Sequence, residues 1–224
     1  MNNEIIKLSK ISKKFDGTSK NITVLKNINL KINKGELVSL TGPSGSGKST
    51  LLHISALLDN PTSGQIFIDD NNCHDINEEK KNLIRKKYIG FVYQNFFLLN
   101  DFTSLENVII PQLLNGITYK QAESKAKDIL KNIGLSKKLS SKPKELSGGE
   151  KQRVAICRAI ANNPDIIFAD EPTGNLDIKN SNMIMKLFSG LISEYKISII
   201  VATHNLSLTN KFDKVLKISD GIIK

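Results

Sequence analysis

Apolar and polar residues alternate through EIIKLSKISKKF (4–15) and ITVLKNINLKI (22–32), the period-two pattern of strands with one covered face. ELVSLTG (36–42) is a short apolar strand that ends at a Gly-Pro turn, and KSTLLHISALL (48–58) after it has helical spacing. QIFIDDNN (65–72) reads as a strand and a turn. The spacing predicts helices over 104–114 and 118–132, the second with Ala122, Ala126, Ile129, Leu130 and Ile133 along one stripe. Further helices are predicted over 150–161 and about 179–194. DIIFAD (165–170) and ISIIVATH (197–204) are continuous apolar runs, the pattern of parallel strands buried on both faces. KVLKIS (214–219) supplies a final strand.

Together these elements predict an α/β protein with a parallel-sheet core and a smaller antiparallel β lobe near the N-terminus. The chain of 224 residues fits one domain. Residues of about 1–94 and 162–224 form the core with its lobe, and about 95–161 form a helical subdomain.

Charge changes this picture little. The 32 Lys plus Arg exceed the 22 Asp plus Glu, for a net charge of +10, but no block of five like charges occurs. A nucleic-acid-binding module needs a clustered basic face with exposed aromatics, and these lysines are dispersed, so no nucleic acid is expected. The two cysteines, Cys73 and Cys157, form neither a CxxC pair nor a disulfide framework. Cys73 beside His74 is a poor zinc site without further ligands. No apolar run approaches the ~18 residues of a membrane span, and the N-terminus lacks a signal-peptide core. Any membrane role is therefore expected through a partner.

GPSGSGKST (42–50) satisfies G-x-x-x-x-G-K-[ST] between a predicted strand and a predicted helix, which identifies a P-loop NTPase core. Its residues are Gly42, Pro43, Ser44, Gly45, Ser46, Gly47, Lys48, Ser49 and Thr50. The glycines let successive backbone N–H groups turn inward around phosphate oxygens. Lys48 places a charge on the β and γ phosphates, the Ser49 hydroxyl can ligate Mg²⁺, and Thr50 continues a helix N-terminus that favours anions. This motif leaves kinase, GTPase, helicase and transporter ATPase open. DIIFADEP then puts Asp170 at a strand's C-terminal end, where ligands sit in open α/β sheets, with Glu171 next to it. Adjacent side chains point apart, so Asp170 can serve a metal and Glu171 a water, which favours hydrolysis over transfer to a second substrate. NKFD (210–213) matches a guanine-recognition motif, but it opens a strand instead of closing one and no D-x-x-G element precedes it. Asp213 is read as turn chemistry.

LSGGE (146–150) has capping-box spacing, with Ser147 as the cap and Glu150 three residues on. An open helix N-terminus also binds phosphate, so on its own the segment supports either reading. In company with the other motifs, the chain resembles the ATP-binding subunits of ABC transporters over nearly its whole length. GPSGSGKST is similar to their Walker A, LSGGEKQRVAICRAI to their signature and its helix, and DIIFADEP to their Walker B. Gln94 in GFVYQNFFLL matches the Q-loop, GNLD through Asp177 the D-loop, and His204 in IVATH the switch histidine.

The resemblance implies that each subunit holds ATP and Mg²⁺ in its own P-loop while a second subunit's signature closes over the γ-phosphate. Ser147, Gly148 and Gly149 would supply that closure in a homodimer. Glu171 would polarise the attacking water, His204 would bridge the γ-phosphate and the partner's D-loop, and Gln94 would sense metal and water. Ser49, Gln94 and Asp170 would be the metal residues, and Asp177 would belong to the nucleotide face. The family stacks an aromatic on adenine from upstream of the P-loop, and Phe15 is the only aromatic before Phe67. Two departures stand out: Asn205 follows His204 where the family commonly has Asp, and Cys157 takes a position usually given to a small residue.

LLHISALLDNPTSGQI, YQNFFLLNDFTSLENVIIPQLL and PTGNLD are most similar to the lipoprotein-releasing type of ATP-binding subunit. That likeness implies integral membrane permease subunits as partners and a place on the cytoplasmic face of the bacterial inner membrane. LLNDFTSLENV also reads as a helix with a capped start at Thr103 or Ser104. Macrolide-exporter and cell-division types share PTGNLD and remain alternatives. A soluble ATPase of this family acting on nucleic acid normally fuses two such domains or carries a long coiled coil, and neither occurs here.

Overall fold

The computed structural model describes residues 3–16 and 21–224. Strands β1 (Glu4–Phe15), β2 (Ile22–Asn33), β4 (Ser63–Ile68) and β5 (Asn71–Asn72) form an antiparallel sheet in the order β2-β1-β4-β5. In β1, Ile5, Ile6, Leu8 and Ile11 are buried while Lys7 and Lys10 are exposed, and register shifts against β2 at Glu4/Ile6 and Leu8/Ile11 interrupt the simple alternation.

The second sheet has the order β10-β9-β3-β8-β7-β6. Its strands are β3 (Leu37–Thr41), β6 (Ile89–Val92), β7 (Ile166–Asp170), β8 (Ser198–Thr203), β9 (Lys214–Ser219) and β10 (Ile222–Ile223). Neighbours from β9 to β6 run parallel, and only β10 turns back antiparallel on β9. Every residue of β3 and β8 is buried, as strands covered on both faces require. Register sets the strand ends level, with Thr41 paired to Thr203 and Asp170 paired to Ala202. The loops after β3, β7 and β8 therefore leave one rim side by side.

Helix α1 (Lys48–Ser55) follows β3, and α6 (Ile178–Tyr195) lies between β7 and β8. Helices α3 (Ser104–Leu113), α4 (Tyr119–Asn132) and α5 (Gly148–Ile160) share an apolar cluster that includes Val108, Ala122, Ala126, Leu130, Val154 and Cys157. In α4 the stripe divides: Ala122, Ala126 and Leu130 are fully buried, while Ile129 and Ile133 reach across to the cluster around the parallel sheet. Cys157 is fully buried and burial pushes its thiol well above the usual range; Cys73, also buried, is pushed up to about 11.

One helix and the short strands β5, β6 and β10 escape the hydrophobic pattern. Helix α2 (Glu78–Tyr88) is polar almost throughout and is started by Asn77, whose side chain accepts from the Lys80 N–H, with Lys81 and Tyr88 buried. Strand β6 is only four residues long and sits at the sheet edge beside β7. Asp213 also differs from the expected local turn: its Oδ2 accepts the Leu37 N–H at 2.8 Å, tying the entry of β9 to that of β3.

Candidate active site at the rim of the parallel sheet

The loop after β3 is a tight crossing whose glycines are set by geometry. Gly47 has φ +102°, and a side chain there would press on Leu25 and the Val24 carbonyl of β2. Gly47 also begins α1 without any side-chain cap, so the first N–H groups of that helix point from its open end. Ser46 and Lys48 are buried, whereas Pro43, Ser44, Gly45 and Ser49 are exposed. The Lys48 ammonium donates to the carbonyls of Gly42 and Pro43, both at 2.9 Å, which places its charge across the mouth of the loop. Ser46 Oγ is buried without a hydrogen-bond partner among the described residues.

Across the rim, the Ser49 hydroxyl donates to Asp170 Oδ1 at 3.1 Å. Burial pushes the Asp170 carboxyl above its ordinary range, against the pull of the Ser49 hydrogen bond. Glu171 then turns the other way. Its φ is +46°, an uncommon value for a residue with a side chain, although its N–H still donates to the Ala202 carbonyl at 3.0 Å. That turn sends its Oε1 to within 2.8 Å of His204 Nδ1. The other oxygen, Oε2, is buried without a hydrogen-bond partner among the described residues. The two acids thus divide as their adjacency requires, Asp170 toward Ser49 and Glu171 toward His204.

Gln94 arrives from β6. Its carbonyl accepts from Asn175 Nδ2 at 3.4 Å, and its own amide nitrogen lies beside Gly174. Glu171, Gly174, Leu176, Ser181, His204 and Asn205 line one open groove. Asn205 does not turn toward His204. Its Oδ1 accepts from the Ser207 N–H at 3.0 Å and the Ser207 hydroxyl at 2.7 Å, so it starts the next turn of chain.

Phe15 ends β1 opposite Ile22 and is 44% exposed. The Lys13 ammonium lies 4.9 Å from its ring centroid and is itself held by Asp59 at 2.8 Å. Reading the residues singly missed Lys13, although its spacing of two from Phe15 on a strand placed both on one face.

The second glycine turn adjoins the open groove at Leu176. Ser147 Oγ accepts the Glu150 N–H at 3.3 Å, and Glu150 Oε2 accepts the Ser147 N–H at 2.8 Å, a complete capping box. This cap lets α5 begin at Gly148, two residues before the predicted start. Ser147 and Gly148 are exposed and Gly149 is buried. The turn rests on the loop before α6, with Gly148 against Leu176 and Gly149 against Asn180. Asp177 caps α6, accepting from the Asn180 N–H at 2.7 Å and from Asn180 Nδ2 at 2.9 Å. Asn180 was not singled out by sequence, though it stands three residues after a capping Asp.

Comparison with known proteins follows the same lines. The model of the family described as ABC transporter matches residues 25–174. The lipoprotein-releasing system ATP-binding protein LolD of Rickettsia bellii is 50% identical, over 100% of this chain and 99% of that protein. LolD of Paramagnetospirillum magneticum is 41% identical over 100% and 99%. Among solved structures, the dimeric post-hydrolysis state of the ATP-binding cassette MJ0796 bound to ADP and Pi has a TM-score of 0.91 and 39% identity, covering 98% of this chain and 96% of that one. With the rim motifs in place and the match running through most of its length, the chain belongs to the ABC transporter family as one of its ATP-binding domains.

Proposed function

We propose that this protein hydrolyses ATP as the energy-supplying subunit of a transport complex that releases lipoproteins from the bacterial inner membrane. The observation that carries hydrolysis is the placement of Glu171 next to the Ser49–Asp170 pair in sequence, with one oxygen on His204 and the other buried without a hydrogen-bond partner among the described residues. The finer assignment is supported by full-length relatives that carry the lipoprotein-releasing name.

In this reading the N–H groups of the Gly42–Thr50 turn and the open end of α1 receive the phosphates, and Lys48 exchanges its two loop carbonyls for phosphate oxygens. Phe15 presents a ring face to adenine, with its orientation steadied by Lys13. The hydroxyl of Ser49 and the carboxylate of Asp170 are hard oxygen donors of the kind Mg²⁺ takes, with Gln94 as a further oxygen donor. When bound, that ion neutralises phosphate charge. Glu171 accepts a hydrogen bond from the water that attacks the γ-phosphorus, and the bond from that phosphorus to the β-phosphate oxygen breaks to give ADP and phosphate. His204, with its Nδ1 on Glu171, holds the carboxylate in line and leaves Nε2 to serve a second partner.

Ser147 and Gly148 are exposed at the capped start of α5, whose described neighbours are Leu176 and Asn180. This supports a homodimer in which each signature turn closes the other subunit's site. Among the described residues no helix is long and apolar enough to cross a membrane, and in this reading the chain reaches the cytoplasmic face of the membrane through permease subunits. Glu171→Gln should lower hydrolysis by at least about a hundredfold, the scale of a lost general base, and accumulate an ATP-bound dimer on sizing. A monomer with undiminished turnover would overturn the hydrolytic reading. Co-purification of the chain from membranes tests the rest; recovery with macrolide-exporter or cell-division permeases would redirect the assignment.

A further inference from the structure

Asn180 joins two loops that belong to different motifs. Its backbone N–H and its amide Nδ2 hold the two oxygens of Asp177, at 2.7 and 2.9 Å. Its amide is thereby fixed in orientation, and Oδ1 is pressed toward Gly149 in the signature turn. A Cβ built on Gly149 would lie 2.4 Å from Asn180 Oδ1, 2.8 Å from its Cγ and 3.4 Å from its Nδ2. All three obstructing atoms are in this one side chain. One residue earlier, Gly148 faces Leu176 of the same loop at an ordinary contact distance of 3.5 Å. The two glycines therefore rest on the Leu176–Asn180 segment of their own chain, and one side chain sets the spacing.

We infer that Asn180 is a positioning residue that locks the signature turn to the Asp177 loop of the same chain, so that both move as one unit toward the second subunit. Asn180 faces Gly149 and Asp177, not the P-loop, so it acts on closure of the dimer and not on capture of nucleotide by the monomer. It also gives Gly149 a reason to be glycine that involves no nucleotide: a side chain there displaces the Asn180 amide and breaks its bond to Asp177.

The part concerning closure rests on the dimeric reading above; the part concerning Gly149 does not. The first test is therefore thermal unfolding of the full chain without nucleotide. Gly149→Ala should lower Tm by about 3 °C or more, the scale of roughly one kilocalorie in a chain of this size, and Asn180→Ala in the same chain should recover at least half of that loss. No loss, or a loss that Asn180→Ala leaves intact, overturns the contact. The second test places Asn180→Asp, which sets a carboxylate against Asp177, in the Glu171→Gln chain. ATP-driven dimerisation should weaken tenfold or more while binding of a fluorescent ATP analogue to the dilute monomer stays within twofold. Dimerisation that is unchanged in Asn180→Asp, or that falls only in step with nucleotide binding by the monomer, overturns the positioning role. If Glu171→Gln alone gives no dimer, the dimeric reading has failed instead, and the unfolding experiment still decides the Gly149 contact.

Discussion

Replacing Ser147 by Ala separates two tasks that one hydroxyl combines. As a cap, Ser147 Oγ accepts a single N–H, that of Glu150, at the long distance of 3.3 Å. The return bond of the box, from the Ser147 N–H to Glu150 Oε2 at 2.8 Å, uses the backbone and survives the substitution. The stability loss should therefore be about 1 kcal/mol, typical of a lost cap, and Tm should fall by about 2–4 °C. Against a stability of about 5–15 kcal/mol, such a loss leaves the protein folded at 25 °C. Activity should respond more strongly. A hydrogen bond from the hydroxyl to the partner's phosphate involves a charged acceptor and contributes about 1.5–3 kcal/mol. At 1.4 kcal/mol per decade, kcat should fall roughly 10- to 150-fold. Scanning calorimetry without nucleotide and steady-state ATPase at 25 °C read the two effects independently. A lower Tm with kcat unchanged within about twofold would show that the hydroxyl caps the helix and does nothing for phosphate. Ser147→Thr, which keeps the oxygen, should restore both.

Other outcomes follow from the same geometry. Phe15→Ala should weaken nucleotide binding by about 1–3 kcal/mol, the scale of aromatic–base stacking, and an unchanged Kd would exclude Phe15 from the adenine site. Asn107 is fully buried: its Oδ1 accepts the Leu99 N–H, and its Nδ2 donates to the carbonyls of Leu99, Phe102 and Thr103. Asn107→Ala should cost about 1–3 kcal/mol through the groups it strands, and an unchanged Tm would refute the pinning of this loop. Glu106 and Glu150 are both held below the ordinary glutamate range, first by the backbone N–H groups of Thr103 and Ser147. Because their folded values are depressed, their stabilisation is complete above the unfolded value of about 4.3 and is lost as pH falls through the folded values. Tm should therefore be flat near neutrality and decline below about pH 4.3. Glu150→Gln should lessen that decline; an identical acid limb would refute its share.

How much of this was legible in sequence depended on whether a feature is local. The buried strands and the antiparallel lobe follow from periodicity, because a two-residue repeat leaves only one way to cover a face. The P-loop and the capping boxes of Ser147 with Glu150 and of Thr103 with Glu106 are short-range, as their partners stand three to six residues apart. Helix α2 and strand β6 were not legible. The first is stabilised by its Asn77 cap and by Lys81, which is buried on Asn60 and Glu78, and the second is too short for a period to register. Local sequence makes Asp213 a turn residue, because nothing nearby shows that its acceptor role is filled by Leu37, which lies 176 positions away.

The sequence by itself therefore determined most of the element types, the phosphate turn, the paired acids and, through resemblance, the family. Only the tertiary structure decided which residues meet. The level ends of β3, β7 and β8 bring Ser49 to Asp170, a left-handed backbone at Glu171 turns its carboxylate to His204, and Asn180 meets Gly149 across two helix starts. The physical reason is that periodicity and capping report a residue's relation to its own backbone. A site is made where separate backbones end at the same height, and that is set by sheet register and helix packing.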